Sequence, residues 1–304
     1  MSMWKAEAAA RDVGAGAGRA AGRCTADVRT RHAGGRMTFP RALRSELRRF
    51  ARTPLAVVHA ACAVAAGLAC GAYFAVAAWD PALGADAFAQ FLGAMMPLMA
   101  GIVCGLAVDE ERRAGRMANL LAVPARRIAV LAKLAALWLA GLAALAVAAG
   151  LFAAVLAAAG RLEVGVGALA LSACGIAAGS IPLYALSLAL ALRFGRNAAI
   201  GVGAVGLLLG FFAVGGFAHG LMTGELTGAA SMGLLGAVPF AWPARLGSLA
   251  VEAALAVLWA QPDALAQVES AARFVGAACA AASVLAVAAL AWWFDRFEEG
   301  RNDA

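Results

Sequence analysis

Asp109-Glu110-Glu111-Arg112-Arg113-Ala114-Gly115-Arg116-Met117-Ala118-Asn119-Leu120-Leu121-Ala122-Val123-Pro124-Ala125-Arg126-Arg127 is a charged segment set between two long apolar runs. Acids lead, Gly115 follows, Leu120 and Leu121 make an apolar step, and Pro124 closes the segment with Arg126 and Arg127. That order predicts a short helix at a membrane surface. Acids near its N-terminus favour the helix dipole, Pro124 stops it, and the two arginines face lipid headgroups. A solvated loop between two spans would accommodate the same charges.

The surrounding composition is that of a polytopic membrane protein. Mean hydropathy is +0.82, 63% of residues are hydrophobic and only 14% are charged, outside the range of a soluble domain. The net charge of +7 does not point to nucleic acid. Basic residues sit in short clusters beside apolar runs, with no aromatics interleaved, which suits a membrane surface. Of the six cysteines, five fall in apolar segments without metal-ligand spacing and read as small buried hydrophobes, so no metal site is expected.

Residues 1–36 are rich in Ala, Gly and Arg and lack an apolar signal core. They are expected to be a disordered extension or a mis-assigned start before Met37. From Thr38 to Arg52, Phe39, Leu43, Leu47 and Phe50 share one helical face while Arg41, Arg44, Arg48, Arg49 and Arg52 take most of the remainder, which predicts an N-terminal interfacial amphipathic helix. Spans are expected at about 55–79, 90–108, 128–159, 166–192, 198–218 and 274–294. Pro97 kinks the second, and Lys133 snorkels to the surface from the third. The stretch 219–273 reads as an outer-face loop with interfacial or re-entrant helices, because Pro239, Pro243 and Arg245 interrupt it. The fold class is therefore all-α and polytopic, with six transmembrane helices and a cytoplasmic coupling segment between spans 2 and 3. With six spans, 22 of the 25 basic residues fall on one side, which places both termini and the charged segment in the cytoplasm.

The chain lacks a phosphate-binding G-x-x-x-x-G-K-[ST], since its only lysines are Lys5 and Lys133 and neither follows the required glycines. It does not hydrolyse ATP by itself. Gly201-Val202-Gly203-Ala204-Val205-Gly206 matches G-x-G-x-x-G but lies within a span, where small residues permit close helix packing. Ionisable residues inside the spans are scarce, with His59 the single candidate. It either lines a substrate path or hydrogen-bonds a neighbouring backbone. The scarcity argues against proton-driven transport and intramembrane proteolysis, and for an engine outside the chain.

Glu111, Gly115 four residues later, the pair Leu120 and Leu121, Pro124 nine after the Gly, and Arg126 and Arg127 resemble the coupling helix of ABC-2 type permeases. Further details resemble the lantibiotic-immunity members of that class: Arg48 to Leu55 with His59 shortly after, Ala72-Tyr73-Phe74 to Trp79, Pro97, and Trp293-Phe294-Asp295-Arg296. The chain departs from them at Ala118-Asn119, where a Gln is usual, and in its first 36 residues. The resemblance implies a bacterial plasma-membrane permease paired with a second permease, as a homo- or heterodimer, and with two copies of an ATP-binding subunit. ATP and Mg would be held by that subunit and no cofactor by this chain. Docking would fall to Asp109, Glu110, Glu111, Arg112, Gly115, Leu120, Leu121 and Pro124, with Glu111 facing the ATPase. The interfacial helix, through Leu43, Leu47, Arg48, Arg49 and Phe50, would touch it too. The cargo would be an amphipathic lantibiotic-like peptide expelled from the bilayer. Alternatives are export of another hydrophobic drug or lipid-linked substrate, or a non-transporting assembly or sensor subunit.

Overall fold

The structure, a computed structural model, describes residues 37–213, 219–226 and 233–298. The expectation for residues 1–36 lies outside them. The described residues are helical and contain no strand. In chain order the helices are α1 (Phe39–Phe50), α2 (Pro54–Val76), α3 (Pro81–Gly115), α4 (Ala118–Leu121), α5 (Arg126–Ala158), α6 (Val166–Phe194) and α7 (Arg196–Ala213). After these come α8 (His219–Thr223), α9 (Trp242–Leu258, preceded by 3-10 turns at Leu234–Ala237 and Pro239–Ala241) and α10 (Pro262–Phe294).

Among the described residues, seven segments are long and apolar enough to cross a membrane, where the sequence predicts six spans. Five of them, α2, α3, α5, α6 and α7, overlap the first five expected spans. The sixth expected span starts twelve residues earlier than predicted, because Pro262 occupies the first helical turn and Asp263 complements the N-terminal dipole there. The seventh segment, Pro239–Leu258, falls in the stretch expected to be an outer-face loop with interfacial or re-entrant helices. Its prolines initiate rather than interrupt, since Pro239 and Pro243 sit in first turns where a missing N–H costs nothing. Its charged side chains, Arg245 and Glu252, are buried within the bundle.

At 35 residues, α3 is about 52 Å long, well beyond a hydrocarbon core of roughly 30 Å. It begins at Pro81, not Gln90. Asp80, read only as a breaker, is its N-cap, accepting from the amides of Ala82 at 2.8 Å and Leu83 at 3.3 Å. Every residue from Ala82 to Gln90 is buried, so the first turns of α3 are a protein core and not a lipid-facing run. α3 packs on α6, α7 and α9, and α5 carries α1 and α2. Phe88 of α3 stacks on Phe152 of α5, with centroids 4.1 Å apart and planes within 6°.

Helix α9 does not lie alongside α3 from end to end. Its first turn sits against Gly93, where a Cβ would strike the backbone of Ala244, and against Gly179, where a Cβ would come 2.7 Å from Pro243 Cα. Only glycine admits that approach. Gly93 is about 18 Å along α3 from Pro81, so α9 starts deep in the bundle. From there it climbs antiparallel to α3, Ser248 reaching Gln90 and Asp86. It then turns at Ala260 (φ 52°) into α10. α10 packs back along it through Leu249 with Val268 and Ala271, then Trp242 with Val275 and Cys279. At the far end of α10, Asp295 meets Arg127 of α5 at 2.8 Å. Cys104 and Cys279 are buried as expected of small hydrophobes, whereas Cys62 and Cys174 are exposed on the bundle surface.

Candidate docking site at the charged end of the bundle

The acids Asp109, Glu110 and Glu111 lie in the last turns of α3, not at the start of a short surface helix. A helix C-terminus disfavours negative charge, and here basic groups offset it. Glu111 Oε1 accepts from Lys133 Nζ and from Arg49 Nη1, each at 2.7 Å, and Oε2 accepts from Asn119 Nδ2 at 3.0 Å. Lys133 also pairs with Glu46 at 3.1 Å, and Glu46 pairs with Arg49. One hub of alternating charge thus joins α1, α3, α5 and the chain leading into α5. The Arg49 guanidinium is held above its ordinary pKa. Burial pulls it down, but the hydrogen bonds and charges of Glu46 and Glu111 outweigh that. Asp109 meets Arg196 of α7 at 3.3 Å and Arg113 at 3.7 Å, and Arg112 Nη2 donates to Leu192 O at the end of α6 at 2.8 Å.

Two consecutive residues in the left-handed region, Arg116 (φ 49°) and Met117 (φ 62°), end α3. Such residues cost of order 1–2 kcal/mol each without a glycine, and burial offsets this here. Met117 and Leu120 are both fully enclosed. Hydrogen bonds from the amides of Arg116 to Arg112 O and of Met117 to Glu111 O close the turn. The helix that follows, α4, has four residues. Arg126 holds the segment down, donating to Leu121 O at 3.0 Å and to Phe297 O, beyond the end of α10, at 3.2 Å.

Of the residues expected to dock, Gly115 and Pro124 are exposed, Asp109, Glu110, Arg112 and Leu121 are half-buried, and Glu111 and Leu120 are buried. A Cβ on Gly115 would meet nothing nearer than Ala118 Cβ at 4.0 Å. Glu111 therefore faces the hub, where the sequence alone would turn it outward. Leu120 anchors the turn instead of presenting a side chain. Arg113 and Arg116 are exposed beside Gly115 and were not singled out by pattern. In α1, Leu43, Leu47 and Phe50 are half-buried on the helix that packs against α5, Arg48 is exposed and Arg49 belongs to the hub. Lys133 does not snorkel. It is 5% exposed, because two carboxylates meet it inside the protein.

A second polar cluster contradicts the expected scarcity of charge within the spans. Ser248 Oγ donates to Asp86 Oδ1 at 2.6 Å and lies 3.3 Å from Glu252 Oε1. Gln90 Nε2 donates to Asp86 Oδ2 at 2.8 Å, and Arg245 Nη1 to Gly236 O at 2.8 Å. All five side chains are buried. Ser248 with Asp86 and Gln90 joins the two helices across about half the chain, and the only local signal is spacing: Asp86 and Gln90, and Ser248 and Glu252, are each four apart and so share a helical face. The cluster fastens α9 to α3. Of the two expectations for His59, the backbone hydrogen bond is not made: its Nδ1 is buried without a partner among the described residues. The ring meets Phe50 edge-on, with centroids 6.3 Å apart, and borders an apolar cavity between α2, α3 and α5.

Among the described residues, the bundle has several helices long and apolar enough to cross a membrane and a braced charged end. The chain matches the ABC-2 family transporter protein over residues 42–214, more than half its length, and belongs to that family. The match spans the hub, the left-handed turn and α7. No curated protein and no solved structure matches the chain. Membership makes it a multi-pass membrane permease and implies pairing with an ATP-binding subunit.

Proposed function

We propose that this chain is the permease subunit of an ATP-driven exporter that expels lantibiotic-like amphipathic peptides from the plasma membrane of the bacterium that makes them. It works beside a second permease and two ATP-binding subunits, which hold ATP and Mg. The observation that carries the docking part is the projecting turn at the end of α3. Gly115 with Arg113 and Arg116 is open, while Glu111, Met117 and Leu120 are locked inside. An ATPase surface can approach closely at Gly115 and push on a segment that does not yield. Resemblance of the sequence around Arg48–Leu55 and Trp293–Arg296 to immunity permeases supports the peptide cargo; a different hydrophobic or lipid-linked cargo is the second reading.

The same geometry supports six crossings with both termini in the cytoplasm. The chain rises along α7, and its 3-10 turn at Pro239–Ala241 packs beside Gly206, about 15 Å along α7 from Arg196. It then returns up α9 to the outer side. That supports a re-entrant reading of Pro239–Leu258, and the Arg127–Asp295 pair brings the end of α10 to the side that bears α1.

Detergent pull-down of tagged protein, with mass spectrometry and an ATPase assay, tests the assembly. Recovery of an ATP-binding subunit with activity is expected. Gly115→Trp is expected to insert normally yet abolish export and lose that subunit; normal export by this variant would refute docking at the turn.

A further inference from the structure

We propose that the cavity between α2, α3 and α5 holds one acyl tail of a membrane phospholipid drawn from the leaflet on the charged side of the bundle. The cavity has a volume of about 380 Å³ and is walled by α2 from His59 to Cys70, by α3 from Phe91 to Met99 and by α5 from Gly141 to Ala148. From His59 to Cys70 is about 16 Å along α2, close to half of a hydrocarbon core of roughly 30 Å, which is the reach of one tail in one leaflet. The walls are alanines with Phe91, Met95, Met96 and Met99, and thioether side chains adapt to a flexible apolar occupant. Water is a poor occupant, because apolar cavities stay dry.

Polarity along the cavity runs in the order of a phospholipid. His59 lies at the end nearest Pro54, is 7% exposed, and its Nδ1 has no partner. An occupant carrying a hydrogen-bonding group at that depth would satisfy it, and the ester region of a lipid is such a group. One turn further towards the charged end, Leu55 and Leu137 border a second cavity of about 210 Å³ that also touches Glu46, Arg49, Glu111 and Lys133. Charged groups, then one imidazole, then an apolar slot are thus stacked along the same three helices. α2 is also sparsely covered by the rest of the bundle. Val57, Val58, Val64 and Leu68 are exposed on it, so the slot has bilayer at its side for a tail to enter from. The assignment needs only that the chain sits in a membrane and is independent of what it exports.

The test uses the full chain in vesicles of phosphatidylethanolamine and phosphatidylglycerol doped with a phosphatidylethanolamine that carries a mid-tail diazirine. After irradiation, crosslinks are mapped by peptide mass spectrometry. Crosslinks on Cys62–Cys70 and Phe91–Met99 are expected to exceed those on the outward-facing Leu285 of α10 by about tenfold, the factor that one added hydrogen bond confers. Filling the slot with Ala66→Phe and Ala144→Phe is expected to remove the excess, in a protein that still elutes as a single folded species. Ala66→Leu alone, a milder filling, is expected to reduce it if the double variant does not fold. Equal labelling of α10 and the slot, or an excess that survives filling, overturns the proposal. So does displacement of the label by a lantibiotic peptide, which would make the slot a path for cargo.

Discussion

Removing the charge of Glu111 should destabilise the bundle rather than simply detach a partner. In Glu111→Gln the hub changes from two acids and two bases to one acid and two bases, while its shape is kept. Lys133, with a side chain 7% exposed, loses a carboxylate at 2.7 Å and keeps Glu46 at 3.1 Å. Breaking a buried pair outright costs about 3–5 kcal/mol, and the surviving partner together with the Gln carbonyl reduces that to about 2 kcal/mol. Arg49, with a side chain 39% exposed, adds no more than about 1 kcal/mol, as solvent-screened pairs do. The expected loss is thus about 2–3 kcal/mol, measured by reversible unfolding of the detergent-solubilised protein. Adding Lys133→Met restores the balance of one acid and one base. The double variant should therefore be no less stable than Glu111→Gln alone, a coupling of about 2 kcal/mol in a double-mutant cycle. A single variant within about 0.5 kcal/mol of the parent, or strictly additive effects, would refute the reasoning. If the single variant were stable but lost the ATP-binding subunit on pull-down, Glu111 would be a docking contact after all.

Ser248→Ala takes the 2.6 Å donor from Asp86 and should cost about 1–3 kcal/mol in the same unfolding assay, the penalty of a buried acceptor left short of a partner. Gly93→Leu places a side chain where the Ala244 backbone runs and should cost about 3 kcal/mol or more, seen as loss of the monodisperse species on size exclusion, whereas Gly150→Leu, with open space at its Cβ, should be neutral. Arg126→Ala removes the donor shared by Leu121 O and Phe297 O; amide exchange in 118–122 and 294–297 should accelerate while α3 and α6 keep their protection.

What was legible in the sequence was whatever a single helix faces on its own. Apolar runs placed α2, α5 and α6 to within a few residues, and the alternation of leucines and arginines placed α1. What was hidden depends on a partner distant in the chain. The expected second span begins at Gln90 and leaves out the first turns of α3, because nothing local reveals that Ser248 answers Asp86 and Gln90, 162 and 158 residues later. Arg245, Pro239 and Pro243 make the stretch 219–273 read as a loop with interfacial or re-entrant helices, but Arg245 is answered by Gly236 O nine residues back and both prolines sit in first turns. The charged segment was found by density alone, but its inner and outer faces were not. Only the meeting of Glu46, Arg49 and Lys133 decides that Glu111 points inward, and Glu46 is the single acid of a helix whose basic residues dominate its pattern.

The distribution of these bonds bears on how a push at the surface would travel. α3 is joined at its last turns to α1 and α5 through Glu111, to α6 through Arg112 and to α7 through Asp109; Arg126 and Arg127 then join α5 to the end of α10. Bonds between charged groups with little room to rearrange are stiff, so these helix ends move together when the turn at Gly115 is displaced. Further along α3, beyond the polar cluster of Asp86, Gln90 and Ser248, the helices α3, α6, α7 and α9 meet closely at small residues and proline, at Gly93, Pro97, Gly179, Gly203 and Gly206. A displacement at the charged end is therefore expressed where the packing can slide, around Gly93 and Pro97. That is also the depth at which α9 begins its antiparallel run beside α3, so α9 is the element placed to answer a movement of α3.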